Sequence, residues 1–210
     1  MTGVGSAIER ARRGRRALDE EHLAALAALA DRVRELTEAV VLTDVEIDEL
    51  AAVGEQVEAL TGRLAAVRRD APPVARYGGH GPLRHVTNPV TGLGNPLAPP
   101  LTIEFTETGA RAGFTLNHVY EGPPTFVHGG ITAMILDQVL GMAAASKAVP
   151  GVTASLELRY RRPTPIGVPL TVEAEVTGSS GRRSHAAGRI LDPEGLVTVE
   201  AKALFIAPQR

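Results

Sequence analysis

The sequence predicts an α+β fold in which an antiparallel sheet packs against one long helix, with two further helices in front. Three observations predict it. Apolar residues recur at helical spacing in residues 1–70, residues 71–100 are rich in proline and glycine, and residues 101–207 alternate apolar and polar side chains around one apolar helix. A period near 3.6 indicates helix and a period of 2 indicates strand, and strands grouped around one helix favour an α+β domain.

The composition bounds the class of protein. A chain of 210 residues with 44% hydrophobic residues holds one domain plus an appendage. A net charge of −2 gives no reason to expect that the chain as a whole binds nucleic acid or an anionic membrane. With no cysteine and no tight cluster of His, Asp and Glu, we expect neither a metal site nor a cofactor bound through thiolate. The first residues lack the apolar core of a signal peptide, so we expect a cytoplasmic protein.

Residues 1–70 are predicted to form an N-terminal helical hairpin. Thr43-Asp-Val-Glu46 fits the capping-box pattern that starts a helix. Apolar residues recur at steps of three and four on both sides of it: Leu26, Leu29, Val33, Leu36 and Val40 before it, and Leu50, Val53, Val57, Leu60, Leu64 and Val67 after it. This apolar seam must be buried, either on the rest of the chain or on another subunit.

Residues 71–100 are predicted to be a strap. Seven prolines and five glycines in thirty residues exclude a regular helix or a central strand. The segment NPVTGLGNPLAPP is nevertheless too apolar for a disordered tether. We expect an ordered segment that lies across the surface of the following domain.

Residues 101–210 are predicted to form the main domain, with a helix at Gly129–Lys147. The predicted strands are Leu101–Glu107, Ala110–Tyr120, Val152–Arg161, Leu170–Val176, Arg183–Leu191 and Val197–Ile206, separated by turns that contain Gly, Ser, Asp and Pro. Each alternates apolar and polar residues, which is typical of a sheet with one buried face.

The segment YEGPPTFVHGGITAMILDQVLGMAAA carries the chemistry. His128-Gly129-Gly130 opens an apolar helix in which Asp137 is the single acid. Glycines at a helix start let a ligand approach N–H groups that no helical carbonyl satisfies, where the helix dipole also favours negative charge. A carboxylate among apolar residues is costly to bury without a partner or a task. The segment therefore predicts chemistry on a carbonyl compound.

The spacing within this helix predicts a site shared by two subunits. Asp137 lies eight residues beyond Gly129, which is about 12 Å along a helix. One carbonyl cannot touch both groups of the same helix. If both take part, the acid comes from a second, antiparallel copy, as a two-fold dimer would provide.

This motif, with the following TASLELRYRRPTPIG and PLTVEAEV, resembles the hotdog-fold thioesterases of the phenylacetate-type (PaaI-like) family over about residues 95–207. The resemblance implies a hotdog fold, hydrolysis of acyl-CoA without metal or cofactor, and homodimers that often pair into tetramers. It assigns Gly129 N–H to the thioester carbonyl and Asp137 of the facing subunit to the role of base or nucleophile. His128 and Gly130 shape the turn, and Thr153, or else Ser155, orients the acid.

One position departs from the family pattern. Many relatives place Asn or Gln six residues before the histidine of the turn, where it helps hold the water or the acyl carbonyl, and here that residue is Gly122. Asn117, His118 and Glu121 are the candidates to replace it. For the substrate, we expect Met134 to line the acyl site.

Arginine side chains suit the phosphates of CoA. The candidates here are Arg161, Arg162 and Arg182.

Three functions compete. Acyl-CoA hydrolysis agrees with all of the motif. Acyl-CoA binding without turnover, as a sensor with the helical hairpin as its interaction module, agrees with the glycine at position 122. Hydration or dehydration of enoyl thioesters ranks last, because that chemistry needs an acid–histidine pair and no histidine is well placed beside Asp137.

Overall fold

The structure of the protein is a computed structural model, which describes residue 15 and residues 17–76, 83–99, 101–147 and 150–208. Three helices are found there: α1 (Glu20–Leu42), α2 (Ile47–Ala65) and α3 (Gly129–Lys147). The two predicted N-terminal helices and the predicted central helix are thereby confirmed. The side chain of Asp19 caps α1 by accepting a hydrogen bond of 2.8 Å from the N–H of His22.

The predicted capping box at Thr43 is wrong. The chain is extended at Thr43, whose side-chain oxygen accepts a hydrogen bond of 3.4 Å from the N–H of Val45. Helix α2 starts only at Ile47, after Glu46 as the N-cap, and Glu46 makes no side-chain capping bond. The threonine therefore supports the connection between the helices instead of the first turn of α2, because side chains of this type bond to nearby backbone in turns as readily as in caps.

Helix α1 anchors the N-terminal region to the strap. Strands β1 (Ala17–Leu18), β2 (Val74–Arg76) and β3 (Leu83–His85) form a small sheet in the order β1-β2-β3. Beneath it, side chains from α1 and the strap form a second small core made of Leu23, Ala75 and Val86, with Leu18 and Leu26 against it. The strap thus packs against α1 and contributes two short strands, β2 and β3.

The main sheet has six antiparallel strands. They are β4 (Thr102–Phe105), β5 (Gly109–Thr115), β6 (Val152–Tyr160), β7 (Pro169–Ser180), β8 (Arg183–Leu191) and β9 (Val197–Ile206). Their order across the sheet is β4-β5-β7-β8-β9-β6. A short 3₁₀ turn at His118–Tyr120 replaces the end of the second predicted strand. The hotdog fold that the resemblance implied is confirmed.

Helix α3 packs across one face of this sheet and forms the main core with it. Seven of its residues are buried: Thr132, Ile135, Leu136, Val139, Leu140, Ala143 and Ala144. Its length and apolar composition would also suffice to cross a membrane, a property that core helices of globular proteins share. The remaining face of α3, which includes Asp137, is half-buried within this copy of the chain.

Candidate active site

The turn before α3 leaves one backbone N–H without an acceptor. In the first turn of α3, the N–H of Gly130 donates to Nδ1 of His128 at 3.0 Å, and the N–H groups of Ile131 and Thr132 donate to the carbonyl of His128. Within the described ranges, the N–H of Gly129 donates to no protein group. This N–H, which carries part of the positive charge of the helix start, is therefore free to donate a hydrogen bond.

The conformation of this turn is held from several sides. The backbone N–H of His128 donates to the carbonyl of Tyr120 at 2.9 Å. Nδ1 of the His128 imidazole accepts from the N–H of Gly130, so this nitrogen carries no hydrogen. The carbonyl of Gly129 accepts from the hydroxyl of Tyr160 at 3.0 Å and from that of Thr132 at 2.8 Å. The two bonds orient the peptide that follows Gly129, and so they limit rotation of the Gly129 backbone.

Tyr160 is a site residue that sequence reasoning missed. It ends β6 in the sequence, and alternation along the strand predicted only that it faces the core side. In the structure its ring lies over Gly129, so that a Cβ added there would approach the Tyr160 ring and hydroxyl to 3.3 Å. No local pattern signals this contact, because the two residues are thirty-one positions apart.

Asp137 is held by the residue that the resemblance singled out. The hydroxyl of Thr153 donates to Oδ1 of Asp137 at 2.9 Å. Regular alternation would have put Thr153 on the outer face of β6, with Ser155. A register shift between Thr153 and Ser155 leaves Ala154 without a partner on β9, and this bulge turns Thr153 to the helix face. The proximity of Thr153 and Asp137 is found, and the catalytic role of the pair stays a prediction.

Ser155 lies on the other face of the strand. Beyond the bulge the pairing with β9 is regular, so Ser155 shares its face with Glu157 and Arg159, away from α3. The structure thus separates the two candidates for orienting Asp137, since only Thr153 reaches it. Ser155 has no contact with Asp137 that would let it act on the acid.

The two ends of the candidate site both lie beside β6. Thr153 at the start of the strand holds Asp137, and Tyr160 at its end holds Gly129. Eight residues of helix separate Gly129 from Asp137, about 12 Å along the axis. Among the strands that the structure describes, β6 pairs only with β9, so its other edge is open within the described part of one copy. The same edge therefore borders both halves of the site.

No side chain can be added at Gly122 without moving the histidine turn. A Cβ there would lie 2.7 Å from Cα of His128 and 3.1 Å from its Cβ. The segment from Glu121 to Val127 closes on itself, because the N–H of Gly122 donates to the carbonyl of Phe126 at 2.9 Å. The family's Asn or Gln is thus incompatible with this conformation of the loop.

Glu121 closes the loop before the histidine turn. Its carboxylate accepts from the N–H of Thr125 at 2.6 Å and pairs with Nδ1 of His118 at 2.9 Å. The hydrogen bond from His118, and then that from Thr125, lower the pKa of Glu121 below its usual 4.5. Thr125 has a φ of 71°, which is strained for a β-branched residue. Both carboxylate oxygens are therefore engaged in holding the loop.

Asn117 is also engaged elsewhere. Its side-chain oxygen accepts from the N–H of Val119 at 3.2 Å, and the residue lines a cavity of about 180 Å³ between α1, the strap and Tyr120. Burial raises the pKa of Tyr120, an effect that the charge of Arg34 partly offsets.

Met134 is half-buried on α3 and packs against the core, on the helix that carries Asp137.

The three predicted arginines differ in their partners. Arg161 pairs with Glu200 at 2.8 Å, which neutralises its charge. Arg162 donates to the carbonyl of Val197, and Arg182 donates to the carbonyl of Ala207. A backbone carbonyl does not neutralise a guanidinium group, so Arg162 and Arg182 keep their positive charge in these contacts.

The arginines also lie at different ends of β6. Arg161 and Arg162 directly follow Tyr160, at the Gly129 end. Arg182 lies by the other end, because its neighbour Arg183 and the first residue of β6, Val152, both pair with Ile206. Within one copy, therefore, the arginines do not meet around a single group.

A groove on the opposite face of the sheet does not belong to this site. It measures about 740 Å³, and of the predicted site residues only Arg161 lines it. Several of its charged side chains pair with one another, as in the contacts of Glu173 with Arg111 and Arg189. Across the described ranges, no three His, Asp or Glu side chains converge as a metal site would require.

Comparison with known proteins agrees with this geometry. Residues 125–199, which contain the histidine turn, α3 and most of the sheet, match the sequence profile of the thioesterase superfamily. The crystal structure of a thioesterase superfamily protein is similar at 37% sequence identity and a TM-score of 0.75, over 86% of this chain and 94% of that one. Because residues 101–210 are only about half of the chain, this match extends into the segments that precede the hotdog domain.

Curated relatives match over a shorter region. Acyl-coenzyme A thioesterase THEM4 of Xenopus laevis is 33% identical over 87 residues, which are 41% of this chain and 39% of that protein. The Mus musculus protein of the same name is 38% identical over 88 residues, which are 41% of this chain and 37% of that protein. The chain thus spans well under half the length of these curated relatives. The fold, the matched profile and the similarity over nearly the whole of a solved structure agree: the chain belongs to the thioesterase superfamily.

Proposed function

We propose that the protein hydrolyses acyl-CoA thioesters to a free acid and CoA, at a site formed between two copies of the chain. The observation that carries the proposal is the unsatisfied N–H of Gly129 at the start of α3. The same helix contains Asp137, whose carboxylate accepts a hydrogen bond from Thr153 of β6. A donor without an acceptor and an oriented carboxylate are the two groups that acyl transfer to water requires. The names of the curated relatives, both acyl-coenzyme A thioesterases, support the substrate class.

The open edge of β6 supports the pairing of two copies. An edge strand of nine residues offers unpaired N–H and C=O groups to another strand. Antiparallel pairing of two such edges around a two-fold axis extends the sheet and brings two α3 helices side by side in opposite directions. Gly129 of one copy then faces Asp137 of the other, which removes the separation of about 12 Å within one helix.

In the proposed reaction, the thioester oxygen accepts a hydrogen bond from the N–H of Gly129. Asp137 of the second copy takes a proton from water, the water oxygen bonds to the thioester carbon, and negative charge builds on the oxygen beside Gly129. The carbon–sulfur bond then breaks, and the CoA sulfur leaves with the proton that Asp137 had taken. Direct attack by the Asp137 carboxylate, followed by hydrolysis of the anhydride, uses the same groups.

The same arrangement offers contacts for the rest of the substrate. The acyl chain would lie between the two α3 helices, along Met134 and its neighbours on the half-buried face. Arg162 of one copy and Arg182 of the other would approach the same end of the composite site, because they lie at opposite ends of β6. Neither charge is neutralised by a carboxylate, and the CoA phosphates are their proposed partners.

The test is hydrolysis of short, long and aryl acyl-CoA esters, measured by release of free thiol. Asp137→Asn should lose turnover by about 100-fold or more while it keeps the fold and the molecular mass of the wild type. The control is Gln138→Glu, which also changes the charge of α3 by one unit. It adds a carboxylate at the next position, on another side of the helix. Equal turnover by the Asp137→Asn protein and the wild type would exclude the proposed chemistry.

Binding of acyl-CoA without turnover is the second candidate function. Gly122 favours it, because the family's water-holding side chain is missing and a Cβ there would meet the His128 backbone at 2.7 Å. Calorimetry with a non-hydrolysable acyl-CoA thioether distinguishes the two. Saturable binding together with no thiol release from any ester would establish the binding protein in place of the hydrolase.

A further inference from the structure

Helix α2 carries an apolar seam that no part of the described chain covers. The helix buries none of its residues, and no other element packs extensively against it across the described ranges. Its large apolar residues from Leu50 to Leu64 follow the a and d positions of a heptad pattern for about two heptads. Four of these five residues are exposed, with exposed fractions from 37% to 60%: Leu50, Val57, Leu60 and Leu64. A stripe of this kind marks an interaction surface.

The charged residues along α2 and directly after it indicate which partner fits this seam. Residues 46–58 contain five acidic side chains and no basic one: Glu46, Asp48, Glu49, Glu55 and Glu58. Residues 59–70 contain Arg63, Arg68 and Arg69 against the single acid Asp70. The first part of the helix is therefore negative. Its last turn, which carries Arg63, and the residues directly after it, which include Arg68 and Arg69, are positive.

We propose that α2 pairs with α2 of a second copy in antiparallel orientation. This arrangement sets the acidic half of each helix beside the basic end of the other and joins the two apolar seams. Parallel pairing would place acid beside acid and arginine beside arginine, which is destabilising. Because the complementary surface is carried by the same helix, a second copy of this chain satisfies both the seam and the charges.

The contact adds to the assembly instead of replacing the β6 edge. About two heptads per helix make a short coiled coil, which is marginal as the only contact between two proteins. A dimer paired through β6 carries two α2 helices, so two such dimers make two of these contacts at once. The first contact raises the effective concentration for the second, which stabilises a tetramer. The pairing does not depend on the proposed hydrolase activity, and its tests measure assembly alone.

The first test is molecular mass by light scattering for Leu60→Glu and its neighbour Ala59→Glu. Position 60 lies in the seam, and position 59 lies about 100° round α2 from it, outside the a and d positions. Both positions are exposed, so both variants add the same charge to an exposed site. The Leu60→Glu protein should have half the mass of the wild type, and the Ala59→Glu protein should keep the wild-type mass. Equal masses for all three proteins would overturn the proposal, with helix content checked by circular dichroism.

The second test reads the orientation of the helices by cross-linking. The chain has no cysteine, so introduced thiols are its only ones. In antiparallel pairing, Val53→Cys and Leu64→Cys combined in one chain bring the thiols of two copies together, since each lies near the opposite end of α2. A short bismaleimide should link the double variant into a covalent dimer and leave each single variant unlinked. If the single variants are linked as well as the double variant, the helices pair in parallel and the proposal is contradicted. Absence of any covalent dimer from the double variant also contradicts it.

Discussion

The hydroxyl of Thr153 donates a hydrogen bond of 2.9 Å to the carboxylate of Asp137, across the gap between the edge strand and the central helix. The bond exists because the bulge at Ala154 turns Thr153 toward the helix, whereas Ser155 points to the outer face of the sheet. The strand that orients the acid is also the strand whose open edge would receive a second copy. In the proposed dimer, orientation of the acid and assembly of the site would therefore be linked through β6.

Replacement of Thr153 by Val should lower the rate of thioester hydrolysis by about 10- to 100-fold. A hydrogen bond to a charged group contributes about 1.5–3 kcal/mol, and without it the Asp137 carboxylate is free to rotate. Thr153→Ser should keep most of the activity, since it retains the hydroxyl, and Ser155→Ala should match the wild type. Initial rates of thiol release measure all three, and equal losses for the substitutions at 153 and 155 would show that the bond has no part in catalysis.

Replacement of Tyr160 by Phe should lower kcat by about three- to tenfold and leave KM nearly unchanged. The ring stays over Gly129, but the carbonyl of Gly129 loses the hydrogen bond from the Tyr160 hydroxyl and the adjacent N–H becomes less well oriented. A loss confined to kcat indicates that the hydroxyl matters in the transition state. A rise in KM with unchanged kcat would assign Tyr160 to substrate binding instead.

Replacement of Gly122 by Ala should destabilise the protein by about 1–3 kcal/mol and reduce activity with it, because the added Cβ meets the backbone of His128. The matched control is Gly113→Ala in β5, where a Cβ would meet nothing within 4 Å. Thermal unfolding of the two variants measures the difference. If both unfold at the wild-type temperature, the loop before the histidine turn is more adaptable than its contacts indicate.

Replacement of Glu121 by Gln should lower the thermal stability of the protein near neutral pH. The folded-state pKa of Glu121 lies below its ordinary value of 4.5, so the carboxylate stabilises the fold above that pH. This stabilisation is lost as the pH falls through the lowered pKa. The difference in Tm between the variant and the wild type should therefore shrink with acidification below about 4.5, as scanning calorimetry across pH would record. A difference that is constant with pH would assign the effect to shape instead of charge.

Much of the fold was predictable from local patterns. The bounds of α3 and the positions of β6, β8 and β9 agree with the predictions, because burial of one face imposes a regular period on the sequence. The start of α2 was not predictable, since Thr43 bonds to the turn and not to the helix. Which strand neighbours which also lay beyond the sequence pattern, because β6 pairs with the last strand, β9, and not with β7.

The sequence by itself determined the helices, most of the strands, the histidine–glycine turn and the acid in α3, since these follow from residue type and periodicity. The resemblance to a known family supplied the hotdog arrangement, and a site shared by two copies stays a prediction. Only the tertiary structure decided how these groups are held. The bulge that selects Thr153 over Ser155, the hydroxyl of Tyr160 over Gly129 and the closed loop that excludes a side chain at Gly122 join residues distant in sequence or depend on backbone geometry. Periodicity reports which face of an element is buried, but a contact between elements depends on register and twist, which the whole sheet sets together.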